Sequence, residues 1–448
     1  MYYTQQNGAL VSGCSLSEVI RQLHKKPVFN HDYIQRYLWR GVYFFAPNDA
    51  ETIFKDIYRV PFESKHSIAL ASIKPPDDKR TALQQFRQEL LSAVQACIGG
   101  DKRVAVELSG GLDSSSVSAL ARAAIPNADI VAFTNGVPKY AHPSFQYFLH
   151  DESSQSQQVA DTLGLKHVVI EDGFRFHEVI EKYTEILGTF SEVMFPVFNH
   201  RSYEIAQQMG ISVLLSGFGG DEMVSQHARE FLIELKTKRK WVRFFYECLR
   251  ARRFEPKPAL PFIISKEHAA LLRIPVPPIE IPFFSTVREF EHALVEGALS
   301  RHFSLRIETS KLIAQHYGIR NEFPLAHPPL MRFFHALPSS FKRRHGTGRY
   351  FMRLAMQPYL PKEIVWRQNK SGSTAPAAMA AFLTQLPQLF LERITPNHQG
   401  LLADYIDIPA LVQCMEKSDG VPPELQRLCL MVMMFAHLEK WLKRISSG

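Results

Sequence analysis

The chain has 448 residues, 46% of them hydrophobic, with a formal net charge of +8 and a pI near 9.1. That is enough chain for two or three domains around a sizeable core. No apolar run approaches the roughly 18 residues of a membrane span, which excludes a membrane-spanning protein and leaves no membrane partner to expect. The five cysteines (Cys14, Cys97, Cys248, Cys414 and Cys429) are scattered without CxxC spacing, so neither a disulfide frame nor a zinc site is indicated. The polar residues 1–6 lack the basic and apolar regions of a signal peptide, and a cytoplasmic location is expected. The basic charge favours an anionic partner such as a nucleotide, an acidic peptide or RNA.

In chain order, Ser15 with Glu18 three residues on reads as a capping box opening a short helix. Residues 32–41 read as a second helix and 52–61 as a lead-out from it. From Thr81 to Ile98 the apolar residues Leu83, Phe86, Leu90, Leu91, Val94 and Cys97 recur at helical spacing, and Gly99-Gly100 ends the helix. The apolar run 104–107 then feeds Ser109-Gly110-Gly111-Leu112-Asp113-Ser114-Ser115, a strand, a glycine turn and a hydroxyl-rich helix start. Gly110 and Gly111 let backbone N–H groups approach an anion, Ser109, Ser114 and Ser115 add donors at the positive end of a helix dipole, and Asp113 can hold the Mg²⁺ that accompanies a nucleotide. Together these form a pyrophosphate-binding loop.

Residues 129–134, 167–170 and 212–215 read as further buried strands between helical stretches. This alternation predicts a doubly wound parallel α/β sheet, which binds ligands at the carboxyl ends of its strands. The last of these strands runs into Ser216-Gly217-Phe218-Gly219-Gly220-Asp221-Glu222, a second glycine turn in which Asp221 can be the second Mg²⁺ ligand. Beyond residue 230 the pattern is helical, with prolines at 256–284. The basic, aromatic run 236–253 reads as an exposed helix with Trp241, Phe244, Phe245 and Cys248 on its core face, or as a contact for a partner protein, an acidic leader peptide or RNA.

The order SGGLDSS followed by SGxGxDE resembles the synthetase domain of asparagine synthetases, a family that includes β-lactam synthetase and the lasso-peptide macrolactam cyclases. Asp151-Glu152-Ser153 before Val159-Ala160, Phe323-Pro324-Leu325, the stretch 349–355 and the stretch 360–370 extend the resemblance over roughly residues 32–375. It implies a pyrophosphatase-type adenine nucleotide hydrolase-like fold with a helical carboxyl-terminal extension. Residues 1–75 would be a truncated glutaminase-like amino-terminal remnant and linker, and 76–448 the ATP-dependent amide ligase domain. Leu108, Asn135, Ser216 and Gly217 would line the adenosine of ATP. Ser109, Gly110, Gly111, Asp113, Ser114 and Ser115 would hold its pyrophosphate, Asp113 and Asp221 the Mg²⁺, and Lys370 would act on the acyl-adenylate. Arg353 and Arg367 stand as either phosphate contacts or ion-pair partners.

Two positions depart from asparagine synthetase. Tyr2 stands where the family's glutaminase carries a cysteine, and fewer than a hundred residues precede the first synthetase helix, so glutamine-derived ammonia is not expected within this chain. Phe218 stands where the family places a group serving the acceptor, and a phenyl ring neither accepts a proton nor binds an ammonium. The expectation is an AMP-forming carbon–nitrogen ligase of lasso-peptide macrolactam cyclase type, joining an Asp or Glu side chain of a precursor peptide to that peptide's own amine. A leader-binding protein or peptidase would be its partner, and nucleic acid would not. The alternatives are an ammonia- or small-amine-dependent amide synthetase and a non-catalytic nucleotide-binding scaffold.

Overall fold

The structure is a computed structural model; it describes residues 1–6, 8–40, 50–60, 76–138, 151–190, 194–228, 230–251, 270–274, 301–367, 376–417 and 423–446. Near the amino terminus, strands β1 (Tyr2–Gln6), β2 (Ala9–Gly13) and β3 (Tyr58–Arg59) pair antiparallel in the order β2-β1-β3, beside helices α1 (Leu16–Arg21) and α2 (His31–Arg40). Ser15 caps α1 by accepting the Glu18 N–H, and Glu18 returns the favour by accepting the Cys14 N–H at 2.7 Å. The sequence reading found both helices but not β1 and β2. In β1 only Tyr2 and Thr4 turn inward, and β2 leaves Leu10 exposed, so neither strand carries a clear apolar alternation.

The α/β body follows. Its elements are α3 (Lys79–Ile98), β4 (Arg103–Glu107), α4 (Leu112–Ala124), β5 (Asp129–Asn135), α5 (Ser153–Leu163), β6 (Lys166–Ile170), α6 (Phe176–Leu187), α7 (Met194–Phe198), α8 (His200–Gln208) and β7 (Val213–Leu215). A single π-helical turn, Gly220–Val224, leads to α9 (Glu230–Thr237), α10 (Trp241–Ala251), α11 (Arg301–His316) and β8 (Arg320–Glu322). A 3₁₀ turn (Pro324–Ala326) precedes α12 (Pro328–Ala336), α13 (Ser339–Lys342), α14 (Tyr350–Met356), α15 (Lys362–Val365), α16 (Pro376–Arg393), α17 (Ile408–Lys417) and α18 (Pro423–Ile445).

The five strands of this body are all parallel, in the order β6-β5-β4-β7-β8. Both faces are covered, as a doubly wound sheet requires. Val104 and Val106 of β4 face one core with Phe86, Leu90 and Val94 of α3 and Val117 and Leu120 of α4. Ala105, between them, faces the other core with Tyr183 and Leu187 of α6 and Tyr203 of α8. The carboxyl-terminal helices close that second layer through Leu386, Phe390, Leu411, Leu428 and Phe435.

Contacts at Arg59 and Gly188 are among those that tie the amino-terminal segment to this body. Arg59, fully buried, donates to Ser304 Oγ at 3.0 Å and pairs with Glu308 at 3.3 Å on α11. Gly188, left-handed at φ 71°, abuts the backbone of Leu16 and Ser17, where any side chain would collide.

Candidate nucleotide site

The sheet order places both glycine turns at neighbouring strand ends, because β4 and β7 are hydrogen-bonded partners. In the first turn, Ser114 Oγ organises the loop. It accepts the Ser109 N–H at 3.1 Å, lies 3.1 Å from Ser109 Oγ, and donates to the Gly111 carbonyl at 3.2 Å. Gly110 is left-handed at φ 70°, and a Cβ there would stand 2.7 Å from Gln155 Cβ, so the loop rests directly on α5. The Leu108 carbonyl is held by Thr134 Oγ1 at 2.6 Å, and Asn135 is half-buried at the end of β5. Ser115 differs from its neighbours: it is fully buried, and its hydroxyl has no hydrogen-bond partner among the described residues.

The second turn packs backbone to backbone on the first. A Cβ at Gly217 would stand 2.7 Å from the Ser114 nitrogen, and one at Gly220 would run into the Asp113 carboxylate. Only glycine at both positions lets the two loops meet. Gly219, left-handed at φ 96°, turns the chain into the π-helical turn that carries Asp221. Ser216 is buried and its hydroxyl accepts the Phe218 N–H at 3.2 Å.

Asp113 and Asp221 converge on one cation, the guanidinium of Arg349. Its Nη2 bonds Asp113 Oδ2 and pairs with Asp221 Oδ1 at 2.7 Å, while its Nε donates to the Ser225 carbonyl at 3.0 Å. Ser225 Oγ donates to the other Asp113 oxygen at 2.6 Å. Burial pushes the Asp113 carboxyl up, and the nearby Asp221 charge adds to this; the Arg349 and Ser225 contacts pull it back down. Arg349 itself is left-handed at φ 59°, at the start of α14. Sequence reasoning missed its role: it lies 236 positions from Asp113, and no local pattern marks it.

Among the described residues no group of three or more His, Cys, Asp or Glu converges, so Asp113 and Asp221 are the acidic pair available to a metal. Two carboxylates drawn onto one cation suit Mg²⁺, which binds through one or two carboxylates and takes its other ligands from phosphate and water.

Among the described residues neither Arg353 nor Arg367 forms an ion pair; both donate to carbonyl oxygens. Arg353, buried, donates to the Val365 and Arg367 carbonyls and caps α15. Arg367 donates to the Gly110 carbonyl at 3.2 Å and to Gln158 Oε1 at 2.6 Å. The two arginines thus fasten the segment just before Lys370 onto the glycine turn. Lys370 itself lies outside the described residues, as does Ser371-Gly372-Ser373.

Phe218, in the second turn, packs into an aromatic cluster. Its ring lies 5.3 Å from Phe303 and 6.1 Å from Phe323, and the Arg306 guanidinium sits 4.0 Å over it. At the end of β4, burial pushes the Glu107 carboxyl up, opposed by a Ser216 hydrogen bond and the Arg306 charge.

Residues 85–443 match the family model described as asparagine synthase. A Methanocaldococcus jannaschii protein named "Putative asparagine synthetase (glutamine-hydrolyzing) 2" is 26% identical over 245 residues, covering 50% of this chain and 44% of that protein. The chain therefore spans less than half of that relative's length. Among solved structures, the ammonia-dependent NAD synthetase of Campylobacter jejuni in complex with nitrate overlaps 32% of this chain and 59% of its own, at 13% identity and a TM-score of 0.23. The U34-tRNA thiolase NcsA of Methanococcus maripaludis, with its 4Fe–4S cluster, overlaps 53% and 80%, also at 13% and 0.23. The family model spans well over half of the chain, and the chain belongs to the asparagine synthase family.

Proposed function

We infer that this protein is an AMP- and pyrophosphate-forming amide ligase that activates a peptide carboxylate and joins it to an amine of the same peptide. The observation that carries the reading is the convergence of Asp113 and Asp221, from two adjacent strand ends, on a single cation above a serine-glycine anion cradle. Mg²⁺ bound by these carboxylates would neutralise the triphosphate and polarise its α-phosphorus. The Gly110 and Gly111 N–H groups and the Ser109 and Ser114 hydroxyls would hold the departing pyrophosphate. Leu108, Asn135, Ser216 and Gly217 would line the adenosine.

In the first step a substrate carboxylate oxygen bonds to the α-phosphorus, the bond to the bridging oxygen breaks, and pyrophosphate leaves with the electron pair. In the second the amine lone pair forms the C–N bond, AMP leaves with the acyl C–O electrons, and one N–H proton is released. Lys370 would stabilise the tetrahedral oxyanion.

Phe218 supports a peptide acceptor over a free amino acid, because its side chain supplies no anion for an α-ammonium and a cation, Arg306, sits over its ring. An amine tethered to the adenylate needs less help, since intramolecular placement replaces about 7–11 kcal/mol of barrier. The archaeal relative is named a putative glutamine-hydrolyzing asparagine synthetase, and the second reading is an ammonia- or small-amine-dependent amide synthetase of asparagine synthetase type. ATP–pyrophosphate exchange separates the two. Exchange stimulated by a peptide with a free amino terminus and an internal Asp or Glu, and abolished by Asp113→Ala, supports the peptide ligase; exchange with free aspartate alone supports the synthetase.

A further inference from the structure

The apolar residues of α10 do not all face the core. Glu247 and Ala251 are its buried positions, whereas Trp241, Val242, Phe245, Tyr246 and Leu249 are 46%, 88%, 59%, 40% and 64% exposed. At 100° per residue these five fall within one arc of about 140°. The expectation that Trp241 and Phe245 pack inward is therefore wrong: the inward face is set by the α10–Gly346 contact, which turns those rings outward. Gly346, left-handed at φ 75°, admits the backbone of Ala251 so closely that a Cβ would stand 2.6 Å from its nitrogen. On the same side the Glu247 carboxylate accepts the His345 N–H at 3.0 Å and the Gly346 N–H at 2.5 Å.

That anchoring also sorts the charge. Glu247 is the only acid in α10, and it is turned inward, so the exposed stripe is rimmed by Arg239, Lys240, Arg243 and Arg250 with no exposed acid in the helix. An open cavity of about 500 Å³ at its amino end is lined by Arg239, Lys240, Trp241, Val242, Arg243 and Tyr246, three cations against two aromatic rings. Arg250 lies 5.6 Å over Tyr246, and Trp241 stacks edge-on with Phe244 at 6.1 Å, which pre-orders the surface.

We propose that this face of α10 docks on an anionic phospholipid bilayer. Among the described residues no helix is long and apolar enough to cross a membrane; a surface contact needs none, so the proposal departs from the sequence expectation of no membrane partner, which rested on the lack of a span. Its requirements are an apolar stripe bearing Trp, Phe and Leu and a basic rim, which sit together at the headgroup boundary. The exposed stripe runs from Trp241 to Leu249, and the charge of its rim complements acidic headgroups.

The test uses the full chain with vesicles of phosphatidylcholine alone and of two parts phosphatidylcholine to one part phosphatidylglycerol. Wild type is expected to sediment with the anionic vesicles only, to shift its tryptophan emission to the blue, and to be released at high salt. Trp241→Ser with Leu249→Ser should abolish sedimentation while circular dichroism stays unchanged. Lys240→Gln with Arg243→Gln should weaken binding roughly thirty-fold, about five-fold per cation. Equal sedimentation with both vesicle types, or none, overturns the proposal. So does a dimer that the Trp241/Leu249 variant dissolves, or retention on polyglutamate without vesicle binding.

Discussion

Replacing Arg349 by alanine leaves two carboxylates facing each other without the cation that holds them. Arg349 and Asp113 are 10% and 13% exposed, so theirs is a buried pair, whereas Asp221 is 48% exposed and its contact is screened by water. Breaking a buried pair by removing one partner costs about 3–5 kcal/mol, and the Asp221 contact adds little. Part of the cost is relieved because Asp113, already pushed up by burial, takes a proton more readily once the guanidinium is gone. A loss of about 3 kcal/mol at neutral pH follows. The assay is urea unfolding of wild type, Arg349→Ala, Asp113→Asn and the double variant. In the Asp113→Asn background the arginine substitution should cost only about 1 kcal/mol, a coupling of about 2 kcal/mol. Millimolar Mg²⁺ should stabilise Arg349→Ala more than wild type, because the freed carboxylates bind it in the native state only. Equal losses in both backgrounds, or no difference in the response to Mg²⁺, would refute the assignment of Arg349 as the cation shared by the metal-binding pair.

Three further outcomes follow from the same geometry. Gly220→Ala places a methyl group against Asp113, 2.8 Å from its Cβ, and should cost about 1–3 kcal/mol in urea unfolding while displacing the carboxylate enough to weaken Mg²⁺-dependent nucleotide binding. His335 in α12 is half-buried, its Nε2 shielded from solvent and without a hydrogen-bond partner among the described residues, and desolvation holds it at about 3, so the unfolded chain takes up a proton that the native one refuses as pH falls below 6.5. Stability is therefore lost on acidification, about 2 kcal/mol between pH 7 and pH 5 from this group, and His335→Gln should flatten the unfolding-versus-pH slope by that amount. Arg367→Ala removes the donors to Gly110 and Gln158 and should weaken calorimetric binding of a non-hydrolysable ATP analogue about ten-fold, roughly the 1.4 kcal/mol of one charged hydrogen bond, with stability nearly unchanged.

The parts of this site that can be read along the chain are those whose chemistry is local. Gly110 and Gly111 follow a buried strand and precede a helix, Gly217 and Gly220 do the same on β7, and each run of residue types states its own turn. β8 escapes such a reading because Arg320, Asn321 and Glu322 are polar. It is a strand because β7 offers an unpaired edge, the Ser216 N–H binds the Glu322 carbonyl at 2.9 Å, and Asn321 finds Tyr203 Oη at 2.8 Å in the core. Arg349 escapes for the same reason at longer range: its partners are assembled only once α14 packs behind the second turn. In the sequence Arg353 and Arg367 stand out as cations near Lys370, the residue expected to act on the acyl-adenylate. Only folding shows that their donors are spent on carbonyls, and so that they shape the site rather than fill it. The outward stripe of α10 was misread because its apolar residues number enough for two faces. Which face turns inward is decided by Gly346, nearly a hundred residues away.

The nucleotide products test the central claim most directly. The protein is mixed with ATP, Mg²⁺ and a peptide carrying a free amino terminus and an internal Asp or Glu, and both nucleotide and peptide are analysed. The account predicts AMP and pyrophosphate in equal amounts, formed only when peptide is present, with a peptide product lighter by one water and no glutamine consumed. Release of ADP and phosphate would contradict it.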